Sequence, residues 1–293
     1  EFKKEASSDD KKPDVILTSI PSVELSQEVI FYANKNKIPV VLDIRDLWPD
    51  VLVELLPNYL RWLVNILIRP MRNNLINICS KATAISGITD DFVKWGIEHS
   101  GRERSEKDIH FPMAYIRGEI TKEKRVEAYS FWEKLGIVSN DKILNVVFLG
   151  IFSNSFEFKT IFSAAKILQD QGSPVRFVIC GAGIKVPEIK KSCEDLTNCV
   201  FAGWVNAAQI KTILELSDVG LAPYIHTKNF IANIPNKPAE YLSENLLIAT
   251  SLTHGKLFEL INSKKCGLSY GDDPAKLASF LDHLSKNNKA LEQ

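Results

Sequence analysis

Short apolar runs of strand length alternate with helical patterns along most of the chain, and this alternation limits the fold more than any other feature. The runs are Asp14-Val15-Ile16-Leu17, Pro39–Ile44, Ala82–Ile85, Asn145–Leu149, Arg176–Cys180, Cys199-Val200-Phe201, Val219-Gly220-Leu221 and Leu247-Ile248-Ala249. They are nearly continuous in apolar residues instead of alternating with polar ones. Such strands belong to parallel sheets covered by helices on both faces. Between them, periodicity predicts helices at 23–35, 59–78 with a break at Pro70, 88–95, 157–171, 186–194, 207–216, 238–244, 255–263 and 274–286. The reading is an α/β protein with two Rossmann-like parallel sheets. A length of 293 residues fits two domains. The charged stretch Gly118–Glu127 reads as a linker, which divides residues 13–118 from 119–293.

The remaining global features mainly exclude. Lys plus Arg and Asp plus Glu both number 36, and zero net charge argues against a nucleic-acid binder working through bulk charge. Five cysteines without a CxxC or Cys/His cluster read as reduced thiols in a cytoplasmic protein. Five scattered histidines without HxxxH spacing point to no metal site. The sequence holds no run of about 18 apolar residues of the kind that spans a bilayer. It opens on a polar run, Glu1 to Lys12, without an initiator Met, and closes on a helix with no stop signal. The expectation is an internal piece of a longer protein.

Ligands of parallel sheets sit beyond the C-terminal ends of the strands, so the residues following each strand are the candidates. At the end of the Pro39–Ile44 strand stands Asp43, followed by Arg45, Asp46 and Asp50, with Trp48 and Pro49. So many charges are costly to desolvate unless they pair with each other or bind something. They form either an internal Arg–Asp cluster or a binding loop. Gly150 opens the end of another strand, and Ser153, Asn154 and Ser155 beyond it suit a turn or phosphate contacts. Gly181, Ala182 and Gly183 form a small-residue turn that a ligand can approach, or a simple tight turn. The segment Ile234–Leu242 starts a helix with Pro235, Asn236 and Lys237. Free backbone N–H groups there favour an anion. Glu240 lies one turn on, roughly 300° around the axis, within reach of the same mouth. Residues 59–72 are apolar but carry Arg61, Arg69, Arg72 and Trp62, so they read as a core helix or as one lying on a membrane surface.

These motifs in this order resemble the family-4 glycosyltransferases of the GT-B fold, and most of all the bacterial subgroup that builds O-antigen and capsule sugars. The matching residues are Asp43–Pro49, Ala84-Ile85-Ser86, Val147–Gly150, Phe177–Gly183, Val200–Val205, Leu216–Tyr224, Pro235–Leu242 and Cys266-Gly267-Leu268 ahead of Asp272-Asp273-Pro274. The resemblance implies two Rossmann-like domains facing a cleft. The C-terminal one would hold a nucleotide sugar (UDP-linked on base rates), and the N-terminal one a saccharide or polyprenyl-linked acceptor. It implies retaining transfer without a metal or further cofactor, on the inner face of the cell membrane. Lys237 would neutralise the diphosphate, Glu240 would grip the ribose, and the backbone at Pro235 and Asn236 would face sugar and phosphate. Gly150 would line the donor pocket, Gly181, Ala182 and Gly183 the base. Asp43, Arg45 and Asp46 would meet the transferred sugar or acceptor.

The chain departs from the pattern in places. Ala232 stands where the family has the first glutamate of its Glu-x7-Glu motif, and Phe156-Glu157 replaces a common Lys-Gly. The resemblance also implies that an N-terminal strand with its Gly-rich loop, and a C-terminal returning helix, are missing. Two rival functions follow from the same residues: a nucleotide-sugar 2-epimerase of GT-B type, and a non-catalytic nucleotide-binding or scaffold half of a split transferase. Product analysis without acceptor, and nucleotide titration, separate them.

Overall fold

The computed structural model describes residues 12–54, 56–138 and 142–287, and the chain divides into two compact units. Unit one comprises residues up to Met113 together with Thr227–Ile234, and unit two comprises Ala114–His226 and Pro235 onward.

Unit one is built on a parallel three-stranded sheet of β1 (Ile16–Ile20), β2 (Val40–Ile44) and β3 (Ala84–Gly87), in that order. Helices α1 (Val23–Lys35), α2 (Val51–Glu54), α3 (Arg61–Leu67), α4 (Arg69–Lys81) and α5 (Asp90–Ser100) connect and follow the strands. Its core gathers Val40, Leu42 and Ile44 from the central strand with Ile30 and Ala33 of α1, Leu75 and Ile78 of α4, and Phe92 of α5. The predicted helix over 59–78 is divided at Ile68, not at Pro70. Proline lacks an N–H and is tolerated in a first helical turn, and Pro70 sits in the first turn of α4. The core reading of 59–72 fails over α3, which buries no residue: Trp62 and Leu67 are 63 and 67% exposed, as is Tyr59 just before it at 73%.

Unit two carries six parallel strands: β4 (Leu144–Ile151), β5 (Val175–Ala182), β6 (Cys199–Gly203), β7 (Val219–Ala222), β8 (Leu247–Thr250) and β9 (Gly267–Ser269). Their spatial order is β6-β5-β4-β7-β8-β9. Counted from β4, this is the 3-2-1-4-5-6 order of a doubly wound nucleotide-binding sheet. The strand order reverses between β4 and β7, and the crevice at that reversal is where such sheets bind ligands. The helices are α6 (Lys122–Lys134), α7 (Lys159–Asp170), α8 (Val186–Cys193), α9 (Ala207–Glu215), α11 (Asn236–Ser243), α12 (Lys256–Lys264) and α13 (Pro274–Lys286). The charged stretch read as a linker is not one beyond Thr121. The Thr121 side chain accepts from Lys124 N–H and caps α6, whose Ala128 and Trp132 are buried.

Between β7 and α11 the chain leaves unit two for eight residues that include the short helix α10 (Lys228–Ile231). Side chains and backbone of unit one hold this excursion. Leu47 N–H donates to Asn229 Oδ1 (3.0 Å), Lys228 N–H to Glu54 Oε2 (2.8 Å), and Thr89 Oγ1–H to the Ala232 carbonyl (2.7 Å). Ala232 packs against the apolar core of unit one. A glutamate there would place a charge on apolar surface.

Candidate active site

The site in unit two rests on one tyrosine that the sequence reading passed over. Tyr241 is fully buried. Its hydroxyl accepts from Leu149 N–H (3.4 Å) and donates to the Leu221 carbonyl (3.2 Å), so it pins α11 to the ends of both β4 and β7. The ring lies flat where a Cβ on Gly220 would stand. Lys237 is one helical turn earlier on the same face. It is therefore delivered to the point where the strand order reverses.

There the Lys237 ammonium lies 4.6 Å from the Phe156 ring centroid and 5.6 Å from that of Phe148. Phe148 in turn packs edge-on against Phe156 at 5.2 Å. Such cation–π contacts contribute roughly 0.5–2 kcal/mol. No carboxylate among the described residues forms an ion pair with this ammonium. Burial pushes the Lys237 pKa down, opposed by the charge of Glu240. A half-buried cation against aromatic rings, with no ion pair, is the arrangement that an anionic ligand relieves. Gly150 makes room for it: a Cβ there would lie 2.6 Å from Lys237 Cε and 2.9 Å from Nζ.

Glu240 is half-buried on the same helix. Burial raises its pKa, and the charge of Lys237 pulls it back down. Pro235 is the N-cap of α11, and no side chain caps that first turn. Asn236 beside it is exposed. The neighbouring helix start is different. Glu157 accepts from Lys159 N–H (2.6 Å) and Thr160 N–H (3.3 Å), so its own carboxylate occupies the N-terminus of α7. Of these two helix starts, only that of α11 has its N–H groups free of a side-chain cap, as its dipole favours for an anion.

Gly181 and Ala182 end β5 instead of forming a turn after it, paired with Gly150 and Ile151. Gly181 (φ +152°) and Gly183 (φ +144°) point their missing side chains at the Gly150 and Phe152 carbonyls. Ser153 accepts from Ser155 N–H (3.2 Å), the turn reading of that segment.

In unit one, Asp43 is buried and both its oxygens are engaged, by Arg45 Nε (2.6 Å) and Ser86 Oγ (2.8 Å). Asp50 is held by Arg72 (2.6 Å) and Trp95 Nε1 (3.1 Å). The internal-cluster reading thus accounts for these two aspartates. Arg45 keeps 60% of its side chain exposed. Burial raises the Asp46 pKa. The next residue, Leu47, donates its N–H to Asn229, 182 residues further along the chain, a pairing that no local pattern announces.

The α/β architecture with two parallel sheets matches that of solved structures of the GT-B fold. Residues 144–287, most of unit two, match the family model described as glycosyl transferases group 1. Solved structures similar to this chain include HepE of Anabaena in complex with UDP. That match has 14% identity and a TM-score of 0.62, over 93% of this chain and 70% of that one. Another is WaaG, a glycosyltransferase involved in lipopolysaccharide biosynthesis, at 14% identity and TM-score 0.57, over 90% of this chain and 72% of that one. The UDP-forming α,α-trehalose-phosphate synthase of Burkholderia vietnamiensis matches at 14% identity and TM-score 0.58, over 99% of this chain and 72% of that one. No curated protein sequence matches this chain.

Proposed function

We propose that this protein is a glycosyltransferase that moves a sugar from a nucleotide sugar to a saccharide or lipid-linked acceptor in bacterial cell-surface polysaccharide synthesis. The observation that supports the reading is the half-buried Lys237 ammonium against two aromatic rings at the strand reversal, in no ion pair, with Glu240 one turn on and the start of α11 uncapped. Lys237 holds the diphosphate and stabilises the charge that develops on it as the sugar leaves. Glu240 accepts from donor hydroxyls, and Gly150 leaves the lysine room. Transfer retains the anomeric configuration and uses Lys237 where other transferases use a metal. Arg45 and Asp46 of unit one serve the acceptor side. A UDP-sugar is the favoured donor because the family match is joined by a structural relative holding UDP. Calorimetric titration with UDP, GDP, dTDP and UDP-glucose tests this. UDP and UDP-glucose are expected to bind, and Glu240→Gln to weaken UDP-glucose. Failure of all four to bind sinks the donor-site reading.

The acceptor side is a membrane surface, touched through α3. Among the described residues no helix is long and apolar enough to cross a membrane. Yet Tyr59, Trp62, Ile66 and Leu67 are exposed on or beside a helix flanked by exposed Arg61 and Arg69. Apolar and aromatic residues with cationic neighbours suit an interface of anionic lipid. The protein should co-sediment with phosphatidylglycerol vesicles at low salt, less with phosphatidylcholine, and lose binding in Trp62→Glu/Leu67→Glu. Equal sedimentation of wild type and variant assigns these residues another role.

A further inference from the structure

Among the described residues from Lys142 onward, three large apolar side chains stand exposed: Ile151, Ile184 and Trp204, at 70, 81 and 73%. They are not scattered. Ile151 ends β4, Ile184 lies two residues beyond β5, and Trp204 directly follows β6, and these three strands are neighbours in the sheet. Beyond the other three strands the apolar residues Tyr224, Leu252 and Tyr270 are buried. The exposed apolar edge therefore begins beside Gly150, where Lys237 stands, and runs to one side of the strand reversal only. Its floor is bare, because Ala182 and Gly183 are exposed and carry little bulk. The Trp204 backbone is fixed on both sides. Gly203 turns the chain at the end of β6 with φ +72°, Val205 is buried, and Asn206 and Gln209 form a capping box on α9. The indoles of Trp95 and Trp132 donate to Asp50 and to the Gln209 carbonyl. That of Trp204 has no hydrogen-bond or ring partner among the described residues.

We propose that Trp204 is the platform on which the nucleobase of the donor stacks, with the ribose crossing the bare end of β5 from a diphosphate at Lys237. This rests on the donor-site reading above. A contiguous exposed apolar edge marks a ligand groove or an interface, and this one lies on the ligand-binding side of the sheet. Neighbouring strands are about 4.8 Å apart, which puts β6 about 10 Å from β4. A ribose with its base spans that separation from the phosphate. An indole takes a base by its face, and a side chain presented on a fixed backbone loses little freedom when it does so. Ile151 and Ile184 add apolar surface along the same edge.

The test is calorimetry with two probes: UDP, and inorganic pyrophosphate, which keeps the diphosphate and lacks the nucleoside. Trp204→Ala should weaken UDP roughly five- to hundredfold, as removal of a ring stacked on a base does. Its pyrophosphate affinity should stay that of the wild type. Trp204→Phe, which keeps an aromatic face, should recover most of the loss. Thermal melting should not fall in either variant, since the side chain is exposed. Wild-type UDP affinity in Trp204→Ala, where Lys237→Met loses it, overturns the inference alone. Equal loss of UDP and pyrophosphate affinity in Trp204→Ala also overturns it, because the residue then acts on the diphosphate or on the fold. If UDP does not bind the wild-type protein, the donor-site reading fails and the inference with it.

Discussion

Lys237→Met should weaken UDP-glucose binding by about 2 kcal/mol or more, roughly thirtyfold, while the free protein melts no lower than wild type. The physical argument has two parts. In the ligand-free protein, the ammonium is held against burial by two aromatic rings and no ion pair. Methionine has a similar length and suits an aromatic wall, so the fold loses little. With a diphosphate bound, the same cation becomes half of a buried charge pair, and its removal leaves the anion short of a partner. Gly150→Ala should give a milder form of the same result. Its Cβ meets only the flexible end of Lys237 and, at 3.1 Å, the Phe148 ring edge. The lysine is displaced, affinity falls, and melting changes little. Equal affinity of wild type and Lys237→Met for UDP-glucose would remove Lys237 from the donor site.

Gly181→Ala should act on the fold instead. A Cβ there runs into the Gly150 carbonyl, a backbone atom of the paired strand, at a φ of +152° that favours glycine. Relief requires β4 and β5 to separate at the end where the ligand site lies. Overpacking against backbone combined with backbone strain costs about 3 kcal/mol or more. Denaturant unfolding and thermal melting should both register the loss, and nucleotide affinity should fall with it. A Gly181→Ala protein with wild-type stability but lost binding would return this glycine to the role of a ligand contact.

How far the chain could be read from its residues differs from element to element. The nearly continuous apolar strands announced parallel sheets, because only strands covered on both faces are apolar on both. The reversal of strand order beside β4 is not written locally, although it decides where a ligand sits. Lys237 and Glu240 could be singled out because a helix start has its own signature. The residues that make that start a site could not. Phe148 and Phe156 are brought to α11 from more than 80 residues away, and Asn229 comes to Leu47 from the far end of unit one's chain. Gly181 and Gly183 were open to two readings, and the carbonyls opposite them favour packing. The Arg45–Asp43 contact was foreseeable from two charges two residues apart, whereas the capture of Asp50 by Arg72 and Trp95 was not.

By itself the sequence determined the elements of this protein, their parallel arrangement and a short list of polar residues at strand ends. These depend on periodicity and on the local chemistry of helix starts, which operate over a few residues. Tertiary structure alone decided which of those residues are free to act. It gave Glu157 a helix terminus to cap, Asp43 and Asp50 their partners, and Ala232 an apolar surface. It left Lys237 against two aromatic rings with no ion pair. Whether a charged group is satisfied depends on what long-range packing sets within a few ångströms of it, and that distance is not a property of sequence spacing.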